Sequence, residues 1–291
     1  MSKFYITTPL YYVNDEPHIG HAYTTILADV ISRIKKIQKH DVYFLTGTDE
    51  HGQKVQEAAK KRGVSPKDHV DEYVKRFKNT WEKLNINYDY FIRTTDQNHK
   101  NKVKEILLNL YKCGDIYFDE YEGLYSVSEE RFITEKEKEE GEFRQIKKIK
   151  EKNYFFKMSK YKSKLIEHIK SNESFILPRS RRNEILGFLN NELNDLCISR
   201  PKTRLSWGIE LPFDKDYVTY VWFDALINYI SAIGYNDDDD KFNYYWPADY
   251  HLMAKDILTT HCVYWPTMLM SCNISLPKTI FAHGWWLMDD T

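Results

Sequence analysis

Pro9-Leu10-Tyr11-Tyr12-Val13-Asn14-Asp15-Glu16-Pro17-His18-Ile19-Gly20-His21 joins an apolar segment to an amphipathic one through a turn that carries two histidines. Upstream, Phe4-Tyr5-Ile6-Thr7 is β-branched and aromatic, which predicts a strand. Downstream, Tyr23, Ile26, Val30, Ile34 and Ile37 recur at helical spacing, which predicts a helix from Ala22. The turn therefore lies between a strand end and a helix N-terminus. Backbone N–H groups without helical partners attract anions there, and Gly20 lets a ligand come close to the backbone. A nucleotide's phosphates suit that place.

Working outward, the same alternation continues. Val42 to Leu45 reads as a strand, a helix follows from Gln53, and Ser65-Pro66 opens another with a good N-cap and a good first helical residue. A further helix runs from about Gln97 to Lys112 and stops at Gly114. Such alternation predicts an α/β fold, a parallel sheet covered by helices, with ligands at the carboxyl ends of the strands. Leu10 to His21 and Gly47 to Gly52 both lie just beyond such ends.

Composition then changes. Glu135 to Lys152 is crowded with Lys and Glu, a solvated surface, and Leu124 to Val127 and Phe143 to Ile149 read as short strands with one face in solvent. The organisation expected is a first half over 1–114, an insert over 115–213 and a second half over 214–291. The sheet is expected to resume with Tyr217 to Phe223, followed by a helix from Ala225, a turn near His251 to Lys255 and a strand Thr279 to Ala282; Asp237 to Asp240 reads as an exposed loop.

At 291 residues the chain can bury one large core or two modest ones, and its net charge of −1 exerts no global pull on nucleic acid or membrane. A strand begins within three residues of Met1, which leaves no room for a signal or transit peptide, and no apolar run is long enough to span a bilayer. A cytoplasmic location is expected. Cys113, Cys197, Cys262 and Cys272 form no Cys-x-x-Cys pair, which argues against a disulfide framework or a thiolate zinc site.

Several strings together carry a family resemblance. His18 to His21 resembles the HIGH signature of class I aminoacyl-tRNA synthetases, and Thr8 to Asn14 before it is similar to the methionyl-tRNA synthetase family. Thr46 to Gly52, Ile198-Ser199-Arg200, Tyr220 to Ala225, Lys255-Asp256-Ile257 with His261, and His283-Gly284 follow in the family's order. The resemblance covers essentially the whole chain. It implies a Rossmann-like parallel sheet split by a connective peptide domain. It also implies a methionine–tRNA ligase that activates methionine with ATP and Mg²⁺ and transfers it to tRNA(Met).

By resemblance, His18 and His21 are the catalytic pair that contacts the ATP phosphates. Gly20, Lys255, Asp256, His283 and Gly284 complete the ATP set. Leu10, Tyr12, Trp222, Ala225, Tyr229 and His261 correspond to the methionine pocket. Asp49 holds the ammonium group, His51 orients the adenylate, and an aromatic wall with one hydroxyl suits a thioether. Arg200 is expected to support the site through a salt bridge to Asp224 or Asp256. Residue 254 is Ala where the family usually has Gly. Many members carry a zinc knuckle in the connective domain, but the corresponding Tyr125 to Phe132 holds no cysteine, so no zinc and no metal-ligating set of side chains is expected, the Mg²⁺ arriving with ATP.

Lys157-Met158-Ser159-Lys160 spells the start of the second class I signature but precedes Trp222, Lys255 and His283, which is the wrong order. Met158, Tyr161, Leu165 and Ile169 recur at helical spacing, so this string reads as the start of a packed helix. The family's own loop would follow Asp289-Asp290-Thr291. Leucyl, isoleucyl and valyl enzymes carry an editing insertion for which residues 115–213 are too few, and cysteinyl enzymes hold zinc through ligands not evident here. A non-catalytic RNA-binding module descended from a synthetase is the alternative from another class; the retention of His18, His21 and Asp49 argues against it.

Overall fold

The computed structural model describes residues 2–126, 131–133, 138 and 146–285. Strand β1 (Lys3–Tyr12), helix α1 (Ile19–Ile37), strand β2 (Asp41–Asp49), helices α2 (Gln53–Arg62) and α3 (Pro66–Lys83), strand β3 (Tyr90–Arg93) and helix α4 (Gln97–Lys112) form the first half. Next come β4 (Ile116–Ser126), β5 (Arg131–Ile133), β6 (Ile146–Phe156), α5 (Lys162–Ser171), β7 (Ile176–Leu177), α6 (Arg179–Asn190), β8 (Leu196–Cys197), β9 (Ser199–Pro201) and β10 (Glu210–Leu211). The chain continues through β11 (Asp214–Thr219), α7 (Val221–Leu226), α8 (Asn228–Ser231), α9 (Asp239–Tyr245), β12 (Tyr250–Ala254), α10 (Trp265–Ser271) and β13 (Ile280–His283).

The main sheet has the order β3-β2-β1-β12-β13-β7, and every pair is parallel. Its residues alternate between two cores, as the period of a strand requires. Tyr5, Leu45 and Ile92 join the core containing α4 and α10, while Phe4, Ile6, Phe44 and Phe91 join the core containing α3. Both faces are therefore covered, as a doubly wound sheet demands. Gly47 is dictated by the closeness of β3: a Cβ there would lie 2.0 Å from the Ile92 carbonyl oxygen.

β1 pairs with β2 along its length but with β12 only at Ile6 and Thr7. This is where the strand order reverses, so the carboxyl ends diverge into the crevice that α/β folds use for ligands.

Several expectations need correction. Helix α1 begins at Ile19, three residues before Ala22, because His18 caps it. Its regular apolar stripe does not face the core: Ile26, Val30, Ile34 and Ile37 are exposed, and the buried face is Thr24, Thr25, Ala28, Asp29 and Ser32. Sheet membership also crosses the expected insert boundaries. β7 returns to the main sheet beside β13, and β11, which contains Tyr217, joins an antiparallel sheet with β9 and β10 rather than the parallel one. Val221 to Leu226 is helix, His251 to Ala254 is strand β12 rather than a turn, and Asp238 caps α9 within the expected acidic loop.

The two strands expected around 124–127 and 143–149 extend into a long hairpin, β4 with β6, of which Val127 and residues 143–145 lie outside the described residues. Lys148 pairs with Glu122 and Lys150 with Glu120 across it, consistent with a solvated face. Met158 to Tyr161 is a 3₁₀ turn leading into α5, with Met158, Leu165 and Ile169 buried. Among the described residues no helix is long and apolar enough to cross a membrane.

Candidate active site

The turn after β1 is built from its own histidines. His18 is the N-cap of α1; its Nδ1 accepts from Gly20 N–H at 3.1 Å, and His21 Nδ1 accepts from His18 N–H at 3.3 Å. This reciprocal box leaves the two rings stacked 3.6 Å apart. With each Nδ1 used as an acceptor, a neutral ring carries its proton on Nε2, a donor suited to an anion. Burial, and then the neighbouring His18, lower the His21 pKa to about 3, so that ring is neutral at pH 7. A Cβ on Gly20 would meet the His18 ring at 3.0 Å, so the glycine makes room for the histidine pair.

Strand register assembles the second group. Tyr12 is the partner of Asp49 and Leu10 of Gly47, which sets Asp49, buried at 1% exposure, beside two candidate pocket residues. Likewise Ala254 pairs with His283, so Lys255 and Asp256 start where Gly284 follows. Lys255 Nζ lies 4.1 Å from the Trp285 ring centroid. His283 Nε2 is 2.7 Å from Thr24 Oγ1, tying this end of the sheet to the first turns of α1. Ala254 has φ −82 and ψ 157, extended backbone that any residue adopts, so its position does not require glycine.

The third group lies on α7, α8 and the segment before α10. His261 occupies a π-helical stretch, Thr260–Tyr264, a local widening frequent at functional sites. Its Nδ1 lies 3.0 Å from the Ile257 carbonyl and its Nε2 2.8 Å from the Tyr229 hydroxyl. Burial lowers the His261 pKa to about 4, so the ring is neutral; its one proton goes to the carbonyl and Tyr229 must donate to Nε2. The Tyr229 proton is thus engaged by His261. Trp222 stands edge-on to His261 with centroids 6.4 Å apart. Ala225, on the same short helix, is buried.

Asp224 is not the partner of Arg200. Its Oδ2 lies 2.6 Å from His51 Nδ1 and its Oδ1 2.9 Å from His99 Nε2. Arg200 instead donates to Cys197 Sγ and the Ser199 carbonyl and covers the Tyr220 ring. A fully buried carboxylate between two imidazoles is already compensated, which removes the expected arginine pairing. His99 and Ser231 belong to this cluster and to no motif. The one sequence signal for His99 is its place on the apolar stripe of α4, in step with Val103, Ile106, Leu107 and Leu110.

The Lys157–Lys160 string sits elsewhere. Lys160 and Tyr161 donate to Asp115, as does Ser271 of α10 at 2.6 Å. The stretch expected to replace a zinc knuckle includes residues 127–130, which lie outside the described residues. Among the described residues no group of three or more His, Cys, Asp or Glu could hold a metal, and the four cysteines are scattered, with Cys197 and Cys262 buried.

A family model described as tRNA synthetases class I (M) matches residues 4–142 and 141–291. Methionine–tRNA ligases of Clostridium perfringens and Clostridium tetani are each 51% identical over 98% of this chain. That match covers 45% of each relative, so the chain spans about half the length of the relatives it matches. A solved structure, Mycobacterium tuberculosis methionyl-tRNA synthetase bound by methionyl-adenylate, superposes with a TM-score of 0.93 at 44% identity, covering 97% of this chain and 57% of that one.

Proposed function

The chain belongs to the class I tRNA synthetases of type M, and from that premise we propose that it carries the methionine-activating site of a methionine–tRNA ligase. One methionine carboxylate oxygen attacks the α-phosphorus of ATP, methionyl-adenylate forms, and pyrophosphate leaves. The aminoacyl group then passes to a terminal ribose hydroxyl of tRNA(Met), and AMP leaves. A cytoplasmic location is part of this proposal.

The nucleophile arrives ionised, so the chemistry asks for positioning and charge stabilisation rather than a general base. His18 and His21 would donate from Nε2 to phosphate oxygens as charge moves toward the leaving group. Gly20, Lys255, Asp256, His283 and Gly284 would hold the nucleotide, with Mg²⁺ accompanying the triphosphate. Asp49 would pair with the substrate ammonium, His51 would orient the adenylate, and Leu10, Tyr12, Trp222, Ala225, Tyr229 and His261 would enclose the thioether. Arg200 and Asp224 would support these walls.

What supports this reading is a set of contacts between separated segments that carry the candidates: Tyr12 pairs with Asp49, His51 meets Asp224, Thr24 meets His283, and Tyr229 meets His261 and stacks on His251. A superposable relative bound by methionyl-adenylate supports the same substrate. The test is exchange of pyrophosphate into ATP by the gene product that contains this chain, with Mg²⁺ and methionine, leucine or cysteine in turn. Methionine alone is expected to support exchange; equal exchange with leucine overturns the proposal. Norleucine should be rejected least, because a pocket reading shape separates isosteres by only about 1–3 kcal/mol.

A further inference from the structure

We propose that His99, a residue of helix α4 outside every motif, is a positioning residue that holds His51 through the Asp224 carboxylate. The proposal rests on the reading of the crevice as a methionyl-adenylate site. Asp224 is 0% exposed, and a carboxylate so deeply buried must have its lone pairs satisfied. It has one imidazole on each oxygen: His99 Nε2 at 2.9 Å from Oδ1 and His51 Nδ1 at 2.6 Å from Oδ2. Burial by itself would raise the carboxyl's pKa, but the two histidines hold it below the usual range, so the acceptor is ionised and both rings donate.

The remaining contact closes the chain of partners. His99 Nδ1 lies 2.8 Å from Ser231 Oγ, whose helix α8 also bears Tyr229. His99 is 1% exposed and lies in the first turn of α4, whose lead-in residues Thr94 and Thr95 bond Glu50, the neighbour of His51. It anchors one carboxylate oxygen to that rigid helix, and the other oxygen can then meet His51 in only one direction. His51 needs such an anchor because it sits in the turn between β2 and α2, directly before Gly52 at φ 103, a left-handed conformation natural to glycine. With Nδ1–H committed to Asp224, the ring's Nε2 is left for the ligand. A ligand-contacting ring is effective when its partners restrict it to one orientation and one tautomer.

The probe is a sulfamoyl analogue of methionyl-adenylate, with binding measured by calorimetry on variants shown by circular dichroism to be folded. His99→Leu, which keeps bulk but no donor, should weaken binding about tenfold, the scale of one buried hydrogen bond lost. His99→Gln, whose amide can donate where Nε2 does, should stay within about threefold. The double variant His51→Ala/His99→Leu should bind no worse than His51→Ala, because residues acting through one contact are not additive. Long-range ¹⁵N–¹H spectra of the wild type should show the proton on Nδ1 of His51 and on Nε2 of His99, a readout that does not depend on any variant folding. Additive losses, unchanged binding by folded His99→Leu, no rescue by His99→Gln, or a His51 protonated on Nε2 alone would overturn the proposal. A wild-type chain that fails to bind the analogue removes the synthetase reading itself, and this inference with it.

Discussion

Thr24 Oγ1 and His283 Nε2 stand 2.7 Å apart, joining the first turns of α1 to the last described strand across almost the whole length of the chain. His283 Nδ1 lies 2.7 Å from the Gly284 carbonyl, so Nδ1 carries the proton and Nε2 accepts from Thr24. Thr24→Val preserves shape but leaves a buried ring nitrogen without its donor, at a cost of about 1–3 kcal/mol. Urea unfolding should show that loss, ATP binding should weaken, and Thr24→Ser should restore both. Unchanged stability of the valine variant would mean that the contact is dispensable.

Acid should destabilise the protein well before its carboxylates titrate. His21 and His261 have folded-state pKa values of about 3 and about 4, lowered by burial, against an ordinary value near 6.5. Unfolded chains take up these protons as pH falls below 6.5, whereas the folded protein does not until near 4 and 3. The stability is thus fully present above pH 6.5 and is lost through that window, at about 1.4 kcal/mol per pH unit for each histidine. Unfolding midpoints at pH 7 and pH 5 should differ accordingly, and His261→Gln should flatten the slope. Equal midpoints would contradict the neutral-imidazole assignment.

Asp49→Asn is expected to weaken methionine binding by about tenfold or more, since it replaces a charge-assisted partner of the ammonium group with a neutral one of the same size. Asparagine is preferable to alanine because Asp49 is buried and a cavity would confuse the result. Calorimetry with methionine on the folded variant decides it: unchanged affinity assigns Asp49 to the architecture of the strand end.

Lys160→Ala should cost at most about 1 kcal/mol, because its ammonium is half exposed and such pairs are weak. Asp115→Ala should cost more, about 2 kcal/mol, since Lys160, Tyr161 and Ser271 all lose their acceptor. Neither substitution should alter methionine binding. Loss of binding in Lys160→Ala would mean that Lys157–Lys160 serves the site after all.

The alternating α/β architecture was legible because its cause is local: strand and helix periods, Ser65 as a cap, Gly114 as a stop. The family was legible because its motifs are contiguous strings. Periodicity placed α1 to within three residues of its start but could not tell which side of it faces inward, since that depends on what packs there: the core accepts Thr24, Thr25 and Ala28, and Ile26, Ile34 and Ile37 point out. It likewise took Tyr217 to Phe223 for a sheet strand, because an apolar run does not reveal its pairing partner.

Residue types and their order along the chain determined which side chains were candidates. Tertiary structure alone decided their partners, because a carboxylate in a low-dielectric interior is matched to whatever donors the fold brings near. Asp224 therefore meets His51 and His99 rather than Arg200, and Tyr229 meets His261. Protonation states followed in the same way: the sequence shows histidines, while burial and neighbouring lone pairs decide that His21 and His261 are neutral and which nitrogen holds the proton.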